Sequence, residues 1–167
     1  MKLIIFGFKE HGKDTACEYL EKRYGIPFSA SSWYACQTFL FDQIKDRFGY
    51  KSPEECFEDR RNHRQLWYEA IRDYNQGDRA RMGREIFENN VIYCGIRDRE
   101  EFEALKAEKA FDLAIWLDAS KRLPPEDSSS MNLSADFADR VIDNNGTLED
   151  LYRRLDELAN EMGWQEQ

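Results

Sequence analysis

The chain has 167 residues, 41% of them apolar and 14% aromatic, enough to fill one hydrophobic core and too apolar for a disordered tail. Its formal charge of −9, from 24 basic and 33 acidic side chains, argues against nonspecific wrapping of duplex nucleic acid and leaves room only for a local basic patch. No apolar run nears the ~20 residues of a membrane span and Leu3 to Phe6 is too short for a signal-peptide core, so a cytoplasmic, membrane-free protein is expected.

Leu3, Ile4, Ile5 and Phe6 form an unbroken apolar run that meets Gly7, the pattern of a central strand buried on both faces of a parallel sheet. Ala16, Cys17, Leu20 and Tyr24 recur at helical spacing before Gly25, which predicts a helix over 13–24. A short strand is predicted from Ile26 to Ser29, then one helix from Trp33 to Phe48, stopped by Gly49. Ser52, Pro53, Glu54 and Glu55 form a capping box with proline at the first helical position. Leu66, Trp67, Ala70, Ile71 and Tyr74 make a further apolar stripe, and another helix is expected from Asp78 to Glu88.

Val91 to Cys94 reads as a third strand, followed by a charged helix over about 99–108 with Phe102 and Leu105 on its apolar face. Leu113 to Leu117 and Arg140 to Ile142 are the fourth and fifth strands. The stretch between them, from Ala119 to about Asp136, is rich in Pro, Ser and charge and too long for a tight turn, which suggests a mobile lid. Thr147 and Asp150 cap the last helix, whose buried stripe includes Leu151, Leu155, Leu158 and Ala159. Strands alternating with helices predict a single α/β domain over 1–167 with a five-stranded, mostly parallel sheet covered on both faces.

The chemistry concentrates between Gly7 and Thr15. Gly7, Gly12 and Lys13 have the spacing of a phosphate-binding loop and lie between a buried strand and a helix. Glycines let backbone N–H groups turn around an anion, the helix N-terminus adds positive potential, and the lysine neutralises phosphate oxygens. Gly7, Lys9, Glu10, His11, Gly12, Lys13, Asp14 and Thr15 are therefore expected to hold a nucleotide. Asp14 stands where a Ser or Thr usually binds magnesium, and its carboxylate can hold that ion directly or through water.

Gly12, Lys13, Asp14 and Thr15 resemble the variant loop of bacteriophage deoxynucleoside monophosphate kinases, a branch of the P-loop kinase superfamily. Val141 to Leu151 resembles that family's closing strand, Asn-Gly turn and final helix. The resemblance implies a three-layer P-loop kinase fold, a helical acceptor-binding insertion over about 30–90, a short lid over about 119–136, and ATP with Mg2+. It also implies that Asn144, Asn145 and Gly146 lie near the adenine, although turn chemistry alone selects the same residues. Arg97 matches a third family position, but the aspartate usually found two residues earlier is here Gly95, and Asp98 replaces it only if the loop bends back.

Arginines cluster at Arg60, Arg61, Arg64 and Arg72 and again at Arg79, Arg81 and Arg84. Guanidinium forks suit phosphate oxygens, while pairing with neighbouring acids such as Glu58, Asp59, Glu69 and Asp73 would make the same residues a solvated face. Arg60, Arg64, Arg97 and Asp98 are expected around the acceptor. Lys121 and Arg122 are the lid cations, with Arg140 as a possible aid, and Lys13, Arg97 and Arg122 are the catalytic candidates. His11 and His63 show no partner spacing and are expected in surface or hydrogen-bonded structural roles, and Cys17, Cys36, Cys56 and Cys94 are expected as free thiols.

These residues together point to an ATP- and magnesium-dependent phosphotransferase acting on a small-molecule partner, a (deoxy)nucleoside monophosphate. One alternative is a kinase for 5-hydroxymethyluracil in DNA, the only reading with DNA as partner. A second is a noncatalytic nucleotide-binding protein. A phosphate acceptor is already ionised, whereas a hydroxyl acceptor needs a nearby carboxylate to take its proton.

Overall fold

The computed structural model describes residues 1–167. Five strands, Leu3–Phe6 (β1), Phe28–Ala30 (β2), Ile92–Cys94 (β3), Leu113–Asp118 (β4) and Arg140–Asp143 (β5), form one sheet in the order β2-β3-β1-β4-β5. Every pairing is parallel, so the sheet is wholly rather than mostly parallel. Strand β1 is central, and all four of its residues are fully buried, as a strand covered on both faces requires.

The alternation of side chains along β1 divides the core. Leu3 and Ile5 face the layer of Lys13–Tyr24 (α1) and Leu148–Met162 (α8), where they meet Leu20, Leu155 and Leu158. Ile4 and Phe6 face the other layer, built from Arg64–Tyr74 (α5), Arg81–Asn89 (α6) and Arg99–Ala107 (α7), through Ile71, Ile86, Phe102 and Leu105. Helix α8 starts with both halves of a capping box, Thr147 with Asp150. The three layers, the strand order and the loop after β1 make this the P-loop kinase fold.

Between β2 and β3 lie Ser31–Ala35 (α2), Phe41–Phe48 (α3), Pro53–Glu58 (α4), α5 and α6. This stretch has a small core of its own from Cys36, Leu40, Ile44, Cys56 and Trp67. The single helix expected from Trp33 to Phe48 is instead α2, a π-helical turn over Cys36–Leu40, and α3. Periodicity alone does not reveal such a wide turn. The second strand begins at Phe28 rather than Ile26: Pro27 has no N–H to give the ladder, although its carbonyl takes the Val91 and Ile92 amides. Helix α6 begins at Arg81, since Asp78 serves the preceding turn by accepting the Arg81 amide. All four cysteines are buried free thiols, and no helix is long and apolar enough to cross a membrane.

Candidate active site

The chain leaves β1 through Gly7, where a Cβ would lie 2.7 Å from the Leu117 carbonyl oxygen, and enters α1 through Gly12 at φ 101°. The amides of Glu10, Gly12, Lys13, Asp14 and Thr15 donate to no acceptor in the chain, and α1 has no side-chain cap. Five free N–H groups around a helix N-terminus form a cradle for an anion.

Long-range contacts hold this loop. His11 is fully buried; its Nδ1 accepts from the Ala119 amide at 3.1 Å, so Nε2 carries the proton donated to the Pro124 carbonyl at 3.2 Å. Phe8 packs edge-on against both His11 and Trp116. Asn144 Nδ2 donates to the His11 carbonyl, and the Lys9 amide donates to Glu126 Oε2 at 2.9 Å.

Lys13, Asp14, Arg60, Arg61, Arg64 and Arg97 line one cleft in front of the loop. Lys13 is only 8% exposed, and burial, followed by repulsion from Arg97, lowers its ammonium pKa. Arg97 forms an ion pair with Glu126, whose side chain is almost wholly buried, and Arg64 approaches the same carboxylate at 4.0 Å. Burial pushes the Glu126 pKa up, but Arg97 and the Lys9 amide outweigh it and hold the carboxyl below its ordinary range. Arg60 donates to the Phe57 carbonyl at 2.9 Å and stacks on the Phe57 ring.

The chain contains no group of three metal-ligating His, Cys, Asp or Glu residues. Asp14, exposed on the cleft wall, is a suitable single carboxylate for Mg2+ whose other ligands are phosphate oxygens and water. The residues present thus fit an ion that arrives with a nucleotide.

Behind the arginines the cleft deepens into a cavity lined by Trp67, Tyr68, Ile71, Tyr93, Asp98 and Glu101. Asp98 accepts three hydrogen bonds. Its Oδ1 accepts from Tyr68 Oη at 2.8 Å and Asn132 Nδ2 at 3.3 Å, while Oδ2 caps α7 by accepting from the Glu101 amide at 3.2 Å. Tyr93 Oη donates to Glu101 Oε1 at 2.6 Å, and burial pushes the Glu101 carboxyl up to about 8. At the rim, Gly95 sits at φ 85°, its amide bonded to the Ile5 carbonyl and its own carbonyl accepting from Ser31 Oγ.

The structure therefore brings together Lys9, Glu10, Lys13, Asp14, Arg60, Arg64 and Arg97, with Asp98 at the inner end. Lys121 and Arg122 do not line the cleft: the Lys121 amide donates to Asn145 Oδ1 at 2.9 Å and Arg122 Nε to the Asn144 carbonyl at 2.8 Å. Arg140 forms an ion pair with Glu161 on α8. Asn144 and Asn145 spend their side chains on the chain itself, Asn145 on Asp118 and Asp143, and Gly146 makes room for the Asp150 carboxylate of the α8 cap. Arg72 and Arg79 pair with Glu100, Arg81 with Glu85, and Arg84 with Asp78 and Glu108, as a solvated face does.

The stretch over 119–136 lies across the loop. It is fastened through His11 and Glu126, through Asn132 to Arg97 and Arg99, and through Met131 and Leu133 in the core. Nothing in the sequence singles out Glu126, Tyr68 or Tyr93. Tyr93 sits in a strand that reads simply as apolar, and Glu126 carries no periodic signal.

No protein-family model matches the chain, and no curated protein matches it. Among solved structures, TT1252 from Thermus thermophilus is similar at 17% identity over 97% of each chain, with a TM-score of 0.51. Shikimate kinase from Aquifex aeolicus has 20% identity over 98% of this chain and 99% of its own, with a TM-score of 0.49. A gluconokinase from Sinorhizobium meliloti has 13% identity over 96% and 94%, with a TM-score of 0.45. The match to TT1252 spans the whole α/β topology and agrees with the fold described above.

Proposed function

We propose that this chain is an ATP- and magnesium-dependent phosphotransferase whose acceptor already carries a phosphate, a (deoxy)nucleoside monophosphate. The supporting observation is the convergence of Arg60 and Arg64, from the stretch that leads into α5, and Arg97, from the loop after β3, on the cleft that also contains Lys13. One triphosphate occupies Lys13 and the free amides of the loop. Glu126 supplies one carboxylate to Arg97 and Arg64, which leaves the three guanidinium groups with excess positive charge suited to the phosphate oxygens of a second anion.

Magnesium, when bound, would neutralise phosphate charge, and Asp14 is the residue that would hold it. Lys13 and the loop amides fix the donor phosphates, and Arg97 with Arg64 aligns the acceptor phosphate for in-line attack. The cavity carboxyls serve the protein: Asp98 holds Tyr68, Asn132 and the start of α7, and burial raises the Glu101 pKa to about 8. The arginines, suited to phosphate oxygens, favour a phosphate acceptor over the hydroxyl of a modified DNA base.

The test is transfer of labelled γ-phosphate to each deoxynucleoside monophosphate and to DNA containing 5-hydroxymethyluracil. Label in mononucleotides is expected. Label only in DNA, or ATP binding with no turnover on any acceptor, overturns this reading in favour of a DNA-modifying kinase or a noncatalytic binder.

A further inference from the structure

Glu126 is the only buried residue between Ser120 and Ser129, a stretch otherwise exposed apart from the half-buried Leu123. Its carboxylate touches both halves of the cleft. Oε2 takes the Lys9 amide of the phosphate loop at 2.9 Å, beside the free amide of Glu10. Oε1 takes Arg97 Nη1 and the Ser130 hydroxyl, the latter at 3.3 Å, and lies 4.0 Å from Arg64 Nη1. A group that satisfies the loop with one oxygen and the arginines with the other stands between the two anion sites. Its donors, an amide, a hydroxyl and guanidinium groups, are those that bind phosphoryl oxygens. The nearest fixed points of the stretch are the His11 bond to the Pro124 carbonyl and the packing of Met131 in the core. Glu126 hangs between them on exposed residues, so its carboxylate can leave without unpacking the core.

We propose that Glu126 is an internal competitor for both phosphate sites: in the free chain its carboxylate holds the Lys9 amide and Arg97 together, and the first ligand to displace it clears the way for the second. The inference rests on the reading of the loop as donor site and the arginines as acceptor site, and adds a coupling between them. Because one carboxylate serves both sites, its displacement is a cost that the first ligand meets alone. The second finds its groups already free. Binding of donor and acceptor is therefore positively cooperative, and the coupling is reciprocal.

The test is calorimetric titration of the intact chain with magnesium and a nonhydrolysable ATP analogue, and with dAMP, dCMP, dGMP, dTMP or inorganic phosphate, each alone and with the other ligand saturating. Turnover of ATP is measured in parallel. Saturation with either ligand should tighten the other about 5-fold or more, by the same factor in both directions. Glu126→Gln keeps the shape and an acceptor for the Lys9 amide but removes the charge, so each ligand alone should bind more tightly and the factor should fall toward one. In the unaltered chain a bound monophosphate alone should raise hydrogen exchange over 121–129, a readout that needs no variant. Weaker binding of both ligands to folded Glu126→Gln, which would make Glu126 a clamp, overturns the inference. Independent binding in the unaltered chain, or slower exchange over 121–129, does so equally. Cooperativity with inorganic phosphate only, or without phosphoryl transfer, would uphold the competitor and defeat the proposed phosphotransferase; transfer with independent binding would do the reverse.

Discussion

The side-chain amide of Asn144 donates to the main-chain carbonyl of His11 at 2.9 Å, joining residues 133 apart in sequence. Asn144 is only 6% exposed, and a Cβ at Gly12 would lie 2.3 Å from its Nδ2. The asparagine after β5 therefore sets where the phosphate loop stands.

Asn144→Ala should lower stability by about 1–3 kcal/mol, because the His11 carbonyl is left buried without its donor. The same variant should bind ATP more weakly, since the loop amides lose their fixed position. Urea denaturation and nucleotide titration measure the two effects separately.

Lys13→Met should reduce turnover by about 10²–10³-fold, the scale of losing one well-placed charge-stabilising group. Its melting temperature should stay level or rise, because the substitution removes a desolvated ammonium that Arg97 repels. A large fall in melting temperature would instead show that Lys13 supports the fold.

Glu126→Gln should cost about 1.5–3 kcal/mol by removing the charge-assisted partner of Arg97. Inorganic phosphate should then raise the variant's melting temperature more than that of the unaltered protein, since an added anion replaces the missing carboxylate between Arg97 and Arg64. Thermal melts at several phosphate concentrations test this.

Glu101 also gives stability a pH dependence. Its folded pKa of about 8 lies above the ordinary 4.5, so between these values the folded chain keeps a proton that the unfolded chain has released. The contribution is fully present below about 4.5 and is lost as pH rises through about 8. Glu101→Gln should flatten that part of the stability curve, as pH-resolved denaturation would reveal.

What could be read before folding was whatever lies contiguous in the chain. The run of β1, the glycines and Lys13, and the stripe of α1 are adjacent in sequence and sufficient to predict a phosphate cradle. Thr147 and Asp150 likewise announced α8 within four residues. The remainder depended on strand order. Glu126 reaches the Lys9 amide across 117 positions, and Tyr68 reaches Asp98 across 30, because β3 and β4 flank β1. The Asn-Gly turn had two readings, and in the folded chain its asparagine side chains are committed to protein atoms. Arg64 and Arg72 look alike in sequence, yet only the first lines the Lys13 cleft.

Gly95 occupies the position where the resembling kinases carry an aspartate, and a Cβ there would sit 3.4 Å from Lys13 Cε and 3.5 Å from Ser31 Oγ on a backbone at φ 85°. Both distances are ordinary van der Waals contacts, so a side chain here meets backbone strain rather than a clash, and aspartate tolerates the left-handed region better than a β-branched residue. Gly95→Asp would therefore set a carboxylate beside Lys13 at the mouth of the inner cavity, at the modest cost of holding a non-glycine residue in this bend.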